Sequence, residues 1–197
     1  MSECTTRKEL RHTLRNRRKN LTENEQTSAA QKLLSIVQEN HLINDSDRIA
    51  VYLANDGEIN PKPLIQWLWQ LGVHCYLPVL NPHKKGELLF LSYQPDTPMV
   101  KNRFNIDEPD IHQAESYAAG DLDVVFMPLT GFTERGERMG MGGGFYDRTF
   151  AFVREGAAKP ALIGLAHECQ KVPSTYASEW DVPMQAVITD KACYRKC

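Results

Sequence analysis

Between Gly136 and Gly144 the chain places five glycines in nine residues, with Arg138 among them, and Phe145-Tyr146-Asp147-Arg148 follows at once. Upstream, Leu122-Asp123-Val124-Val125-Phe126-Met127 reads as a short buried strand ended by Pro128. Downstream, Phe145 to Arg154 holds neither Gly nor Pro and predicts a helix. A strand, a glycine-rich turn and a helix start expose backbone N–H groups at the positive end of a helix dipole, and phosphate groups bind that geometry well. Arg138 and Asp147 border the same turn, adding a cation and a hard oxygen ligand suited to Mg²⁺.

Spacing excludes the common phosphate loops. The stretch has no G-x-x-x-x-G-K-[ST], and the alternation of Gly140, Gly142 and Gly144 does not fit a G-x-G-x-x-G dinucleotide fingerprint after the strand. The bland alternative is a mobile surface loop. The six histidines are dispersed without H-E-x-x-H spacing, and there is no G-x-S-x-G elbow. Phosphoryl transfer asks for little covalent participation by the protein, so these absences agree with it.

The run Arg138-Met139-Gly140-Met141-Gly142-Gly143-Gly144-Phe145-Tyr146-Asp147-Arg148 resembles the signature of the 5-formyltetrahydrofolate cyclo-ligase (methenyltetrahydrofolate synthetase) family. Other segments resemble that family in its own order: Arg7-Lys8-Glu9-Leu10-Arg11, Leu53 to Ile59, Asn105-Ile106-Asp107-Glu108-Pro109, and Trp180-Asp181-Val182-Pro183. Two departures stand out. Pro128-Leu129-Thr130-Gly131-Phe132-Thr133 replaces a Pro-Gly-x-Ala-Phe-Asp pattern, and Gly143 stands where some members carry a lysine.

The resemblance implies ATP-dependent cyclisation of 5-formyltetrahydrofolate to 5,10-methenyltetrahydrofolate, with ADP and phosphate released through an N5 imino-phosphate. It implies that Arg7, Lys8, Arg11, Arg138, Gly140, Gly142, Gly143, Gly144 and Tyr146 bind ATP, the co-substrate, with Arg138 and Tyr146 catalytic. It assigns Leu53, Glu58, Met141 and Phe145 to the folate, and Asp147 with Asp181 to Mg²⁺. One carboxylate at Glu58 can accept both N–H donors of a pterin's amino-pyrimidine edge. Read from the residues alone, a glutamate placed like Glu58 is usually just a polar loop residue, and Phe145 and Tyr146 are equally core aromatics at a helix start. A non-catalytic nucleotide- or folate-binding regulator of the same fold is the alternative reading. An RNA-associated protein using the basic first helix is a third.

The elements that must hold these residues follow a βαβ-like rhythm. Thr6-x-x-Glu9 and Thr22-x-x-Glu25 match capping boxes and predict helices from about Arg7 to Lys19 and Glu23 to Asn40. The first carries Arg7 and Arg11 on one face, four residues apart, with Arg15, Arg17 and Arg18 beyond them. Such a face is most often simply solvated. Strands are expected at Arg48 to Leu53, Val73 to Leu77, Leu88 to Tyr93, Asp123 to Met127, Pro160 to Ala166 and Val187 to Thr189, and a helix from Pro61 to Leu71 stopped by Gly72. Trp67, Trp69 and Trp180 read as packing residues, Trp180 with the option of bordering the site. The expected fold is α/β: a single three-layer Rossmann-like domain over 1–197 with a mostly parallel sheet, N-terminal helices at 7–40 and an α/β core at 48–190. The family resemblance adds the NagB/RpiA/CoA-transferase-like fold. Ligands in such sheets gather at the carboxyl ends of the strands.

Whole-chain properties set the remaining bounds. With 197 residues and a formal net charge of −2, the composition is that of a soluble globular protein and argues against a general nucleic-acid binder. No run approaches a membrane span and no signal-peptide core opens the chain, so a cytoplasmic protein without a membrane partner is expected. A monomer is expected as well. Five scattered cysteines without a C-x-x-C pair predict reduced thiols, with Cys193 and Cys197 near a loose C-terminus.

Overall fold

Both capping boxes form: each threonine hydroxyl accepts the N–H of the glutamate three residues on, and that glutamate accepts the threonine N–H in return. The computed structural model describes residues 6–44, 47–102 and 106–195. In order it runs α1 (Arg7–Lys19), α2 (Glu23–Glu39), β1 (Arg48–Ala50), α3 (Lys62–Gln70), β2 (His74–Leu80), β3 (Leu88–Ser92), β4 (Met99–Lys101), β5 (Asp107–Pro109), β6 (Ser116–Tyr117), β7 (Val124–Pro128), β8 (Gly131–Phe132), β9 (Arg138–Met139), α4 (Phe145–Thr149), α5 (Ala151–Arg154), β10 (Ala161–Leu165), β11 (Ala186–Ile188) and β12 (Cys193–Arg195). Asn105 and Cys197, named above, lie outside the described residues, as does Cys4.

One sheet of eight strands has the order β12-β11-β10-β7-β1-β2-β3-β6. The inner run β11-β10-β7-β1-β2 is parallel, while β12, β3 and β6 pair antiparallel at the two margins. The parallel strands are apolar on both faces, as a sheet covered on both sides requires. Ile49, Val51, Val124, Phe126, Ile163 and Ile188 pack with Leu33 and Val37 of α2 and Leu64, Ile65 and Leu68 of α3. Ala50, Val125, Met127, Leu162 and Val187 face the other way and pack with Phe150 and Val153. Three layers result, with α1 outside them. Leu10 and Leu14 of α1 pack against Met139 and Val172.

The connections leave β1 toward β2 on one side and β7 toward β10 and β11 on the other. The crevice at the carboxyl ends of β1 and β7 is therefore the topological switch point, the usual ligand position of an open α/β sheet.

Some expectations require correction. The helix after the glycine-rich segment is two short pieces, α4 and α5, broken at Phe150 (φ −106°, ψ 21°). A five-residue helix carries only a small dipole, so the expected helix-end contribution to anion binding is weak here. Cys193 lies in β12 rather than in a loose tail. The pairs β4–β5 and β8–β9 carry no clear alternating pattern and were not foreseen; each strand has only two or three residues. No helix among the described residues is long and apolar enough to cross a membrane.

Candidate active site

A cavity of about 510 Å³ opens at the switch point. Its walls come from α1 (Arg7, Arg11), the chain leaving β1 and β2 (Tyr52, Leu53, Pro78 to Leu80), the β4–β5 region (Asn102, Glu108), the glycine-rich segment from Arg138 to Asp147, and Trp180-Asp181. The chain's first helix thus meets its late segments over one hollow.

The glycine-rich segment is shaped by its backbone. Gly142 and Gly144 have φ of +95° and +64°, a region that L side chains rarely adopt. Gly143 has no such φ, but a Cβ there would meet the Phe145 ring at 2.8 Å. The side chain that some relatives place at this position would thus displace Phe145. Arg148 instead braces the loop, donating to Gly143 O at 2.6 Å and to Gly86 O at 2.8 Å. Arg11 Nε donates to Gly140 O at 2.9 Å and its guanidinium lies beside Gly142. Burial and the neighbouring Arg7 lower the Arg11 pKa, with Asp181 opposing them.

Two arginine–aspartate pairs flank this loop. Arg138, nearly buried, pairs with Asp147 Oδ1, which also accepts Val182 N–H at 3.0 Å. Arg7 donates to Asp181 Oδ2 at 2.8 Å and to Ser178 Oγ at 2.6 Å. Asp181 precedes Val182, so the Val182–Asp147 bond ties the segment that carries Asp181 to the start of α4. Among the described residues Arg7 Nε is buried without an acceptor. It is a donor that an incoming anion would satisfy.

Lys8 is exposed and lies off the cavity wall, so α1 presents Arg7 and Arg11 and turns Lys8 away. Trp180 is not a packing residue: it is 67% exposed and stands at the cavity mouth. Trp69 does pack, donating to Tyr93 O at 3.0 Å. Leu53, Met141 and Phe145 line the cavity.

Glu58 is not part of the wall. Its carboxylate is largely but not fully buried (side chain 11% exposed), accepts Asn55 N–H at 3.1 Å and lies 3.6 Å from the Arg18 guanidinium. Arg18 donates in turn to Met141 Sδ at 3.7 Å, and Met141 does line the wall. Burial raises the Glu58 carboxyl, while the Asn55 N–H and Arg18 hold it down. Burial first, then the Glu58 charge, raise the Tyr146 phenol, with Arg138 opposing.

Residues 3–190 match the model of the 5-formyltetrahydrofolate cyclo-ligase family. The chain belongs to that family. The 5-formyltetrahydrofolate cyclo-ligase of Escherichia coli K12 is 40% identical over 176 residues, 89% of this chain and 96% of that one. The Haemophilus influenzae cyclo-ligase is 42% identical over 182 residues, covering 90% and 94%. The NMR structure of Aquifex aeolicus 5,10-methenyltetrahydrofolate synthetase superposes with a TM-score of 0.81 at 25% identity, over 96% of this chain and 92% of that one. The Mycoplasma pneumoniae synthetase, with a TM-score of 0.74 at 20% identity, bears on the fold alone.

Arg18, packed behind the cavity against Glu58 and Met141, was not singled out from the sequence. Its type and helical position read as one more solvated cation, and only its complete burial distinguishes it.

Proposed function

We propose that this chain cyclises 5-formyltetrahydrofolate to 5,10-methenyltetrahydrofolate, converting ATP to ADP and phosphate. The observation that carries the reading is the convergence of Arg7, Arg11 and Arg138, a glycine-rich loop and an apolar wall on one cavity in a member of this family. The guanidinium groups and loop N–H groups suit a polyphosphate; Leu53, Val79, Leu88 and Phe145 suit a flat, largely apolar ring system.

The formyl carbonyl is amide-like and a poor electrophile toward N10. Its oxygen attacks the γ-phosphorus, ADP leaves, and an N5 imino-phosphate forms. N10 then adds to the activated carbon, loses its proton, and phosphate departs. The chain's part is alignment and charge neutralisation. Arg138 and Arg11 face the developing charge beside the glycine loop, Arg7 holds the polyphosphate, and Tyr146 donates a hydrogen bond. Met141 lines the cavity and contacts Arg18 beside Glu58, so the pterin edge would reach the Glu58 carboxylate past this unbranched, adaptable side chain.

Asp147 and Asp181 fit Mg²⁺ held jointly with a polyphosphate. Each has one oxygen engaged by an arginine and a backbone N–H, and one left for a cation. Among the described residues no cluster of three acidic, His or Cys ligands offers a protein-only cage, so phosphate oxygens and water would complete the shell. When bound, the ion supplies further charge neutralisation at the phosphates.

The test is purified protein with 5-formyltetrahydrofolate and MgATP, followed by methenyl absorbance and ADP release. Stoichiometric methenyl product and ADP support the reading. Tight binding of both ligands without either product would make the chain a regulator.

A further inference from the structure

Arg18 is fully buried and ties together three segments around the crevice. It donates to Asp56 O at 2.9 Å in the loop after β1, to Leu129 O at 3.0 Å at the end of β7, and to Met141 Sδ in the glycine-rich segment. Its NH2 also donates to Asp56 Oδ2 at 2.9 Å and lies 3.6 Å from Glu58 Oε1. A purely architectural arginine needs carbonyls and one carboxylate; here there are two carboxylates. Asp56 is already served from the solvent side by Arg15, at 2.7 and 2.9 Å, and by Lys19. The buried cation is therefore left with charge to spare for Glu58.

We propose that Arg18, anchored by Asp56 and Leu129 O, is a positioning residue for Glu58: it fixes that carboxylate beside the cavity and presents it as an anion. The proposal rests on the reading of Glu58 as a folate ligand. Charged and titratable groups facing Glu58 are Arg15 and Arg18 from α1, Asp56 from its own loop, Tyr52 beyond β1 and Tyr146 from α4. His167 approaches the backbone of neighbouring Gly57.

The test is the pH profile of kcat/KM for 5-formyltetrahydrofolate at saturating MgATP, in the full chain. Arg18→Met keeps an unbranched apolar stem and removes the charge that opposes Glu58 protonation. Its acid limb should move up by about one pH unit, a roughly tenfold loss on the acid side, with KM for ATP within about twofold of wild type. Asp56→Asn removes a like charge next to Glu58, and Asn tolerates the left-handed backbone (φ +54°) found there. Its limb should move down. Opposite shifts are the signature, because lost packing would move no limb. Arg18→Lys should lie between wild type and Arg18→Met, and together with Asp56→Asn it decides the matter should Arg18→Met not fold. A limb unmoved by the Arg18 variants, or moved the same way by Asp56→Asn, overturns the proposal. Glu58→Gln separates the two levels. If it abolishes the limb while the Arg18 variants leave it in place, only the positioning role fails; if it keeps wild-type KM and limb, the folate reading of Glu58 fails first.

Discussion

At Gly142 and Gly144 a methyl group would have to be accommodated at φ of +95° and +64°. The strain amounts to roughly 1–2 kcal/mol for an L residue, so Gly142→Ala and Gly144→Ala are expected to weaken MgATP binding about five- to thirtyfold. Calorimetric titration checks this, and unchanged affinity in folded variants would reduce the loop to a turn. Asp147→Asn tests a different link. It leaves Arg138, 5% exposed, without its charge partner, and a charge-assisted hydrogen bond of this kind is worth roughly 1.5–3 kcal/mol. The melting temperature should fall and the Mg²⁺ concentration for half-maximal turnover should rise; a lower Tm with unaltered Mg²⁺ dependence would confine Asp147 to holding Arg138. At this scale the sequence was most readable where chemistry is local. Glycine spacing and the i, i+4 relation of Arg7 and Arg11 needed no tertiary information. Arg18, Asp56 and the recessed position of Glu58 were illegible because a buried charge is recognised only by what surrounds it.

Gly131 and Leu14 show how an element is seated. A Cβ on Gly131 would lie 2.4 Å from Leu14 Cδ1, and Leu14 is fully buried beneath α1. Gly131→Ala should therefore push α1 outward, with an overpacking cost of about 1–3 kcal/mol, and raise KM for ATP although neither residue touches the ligand. Adding Leu14→Ala should recover part of that loss, and a double-mutant cycle on Tm and KM measures the coupling. Additive losses would mean α1 is not seated by this contact. The helices α1, α2 and α3 were legible from capping boxes, the Pro61 start and apolar spacing, which are local rules. The break at Phe150 was not. Phe150 is buried between Phe90 and Tyr146, and this packing sets the chain direction where no Gly or Pro marks a bend. β12 was likewise hidden, since a three-residue margin strand depends on its partner β11 and not on a pattern of its own.

For the molecule as a whole, stability in acid is set by two kinds of group. Burial lowers the His167 pKa to about 4, below the value of about 6.5 expected when unfolded. The unfolded chain then binds the extra proton first, so stability is fully present above about pH 6.5 and falls as pH drops toward 4, by roughly 3 kcal/mol. Asp56 acts lower still: its hydrogen bonds to Arg15, then Lys19 and Arg18, hold its carboxyl well below the usual range. That contribution is present above about pH 4 and is lost in stronger acid. Denaturant midpoints between pH 7 and 4 should decline steadily for the wild type and less steeply for His167→Gln; parallel slopes would place the acid sensitivity elsewhere. The contact of Arg7 with Asp181 spans 174 residues and that of Arg11 with Gly140 spans 129. On a ribosome, then, the cavity stays open until Asp181 has emerged, since its first helix waits for partners translated far behind it. Nucleotide retention by nascent chains of increasing length should switch on abruptly once Asp181 clears the exit tunnel, which makes ligand capture a readout of whether that segment has docked on the first helix.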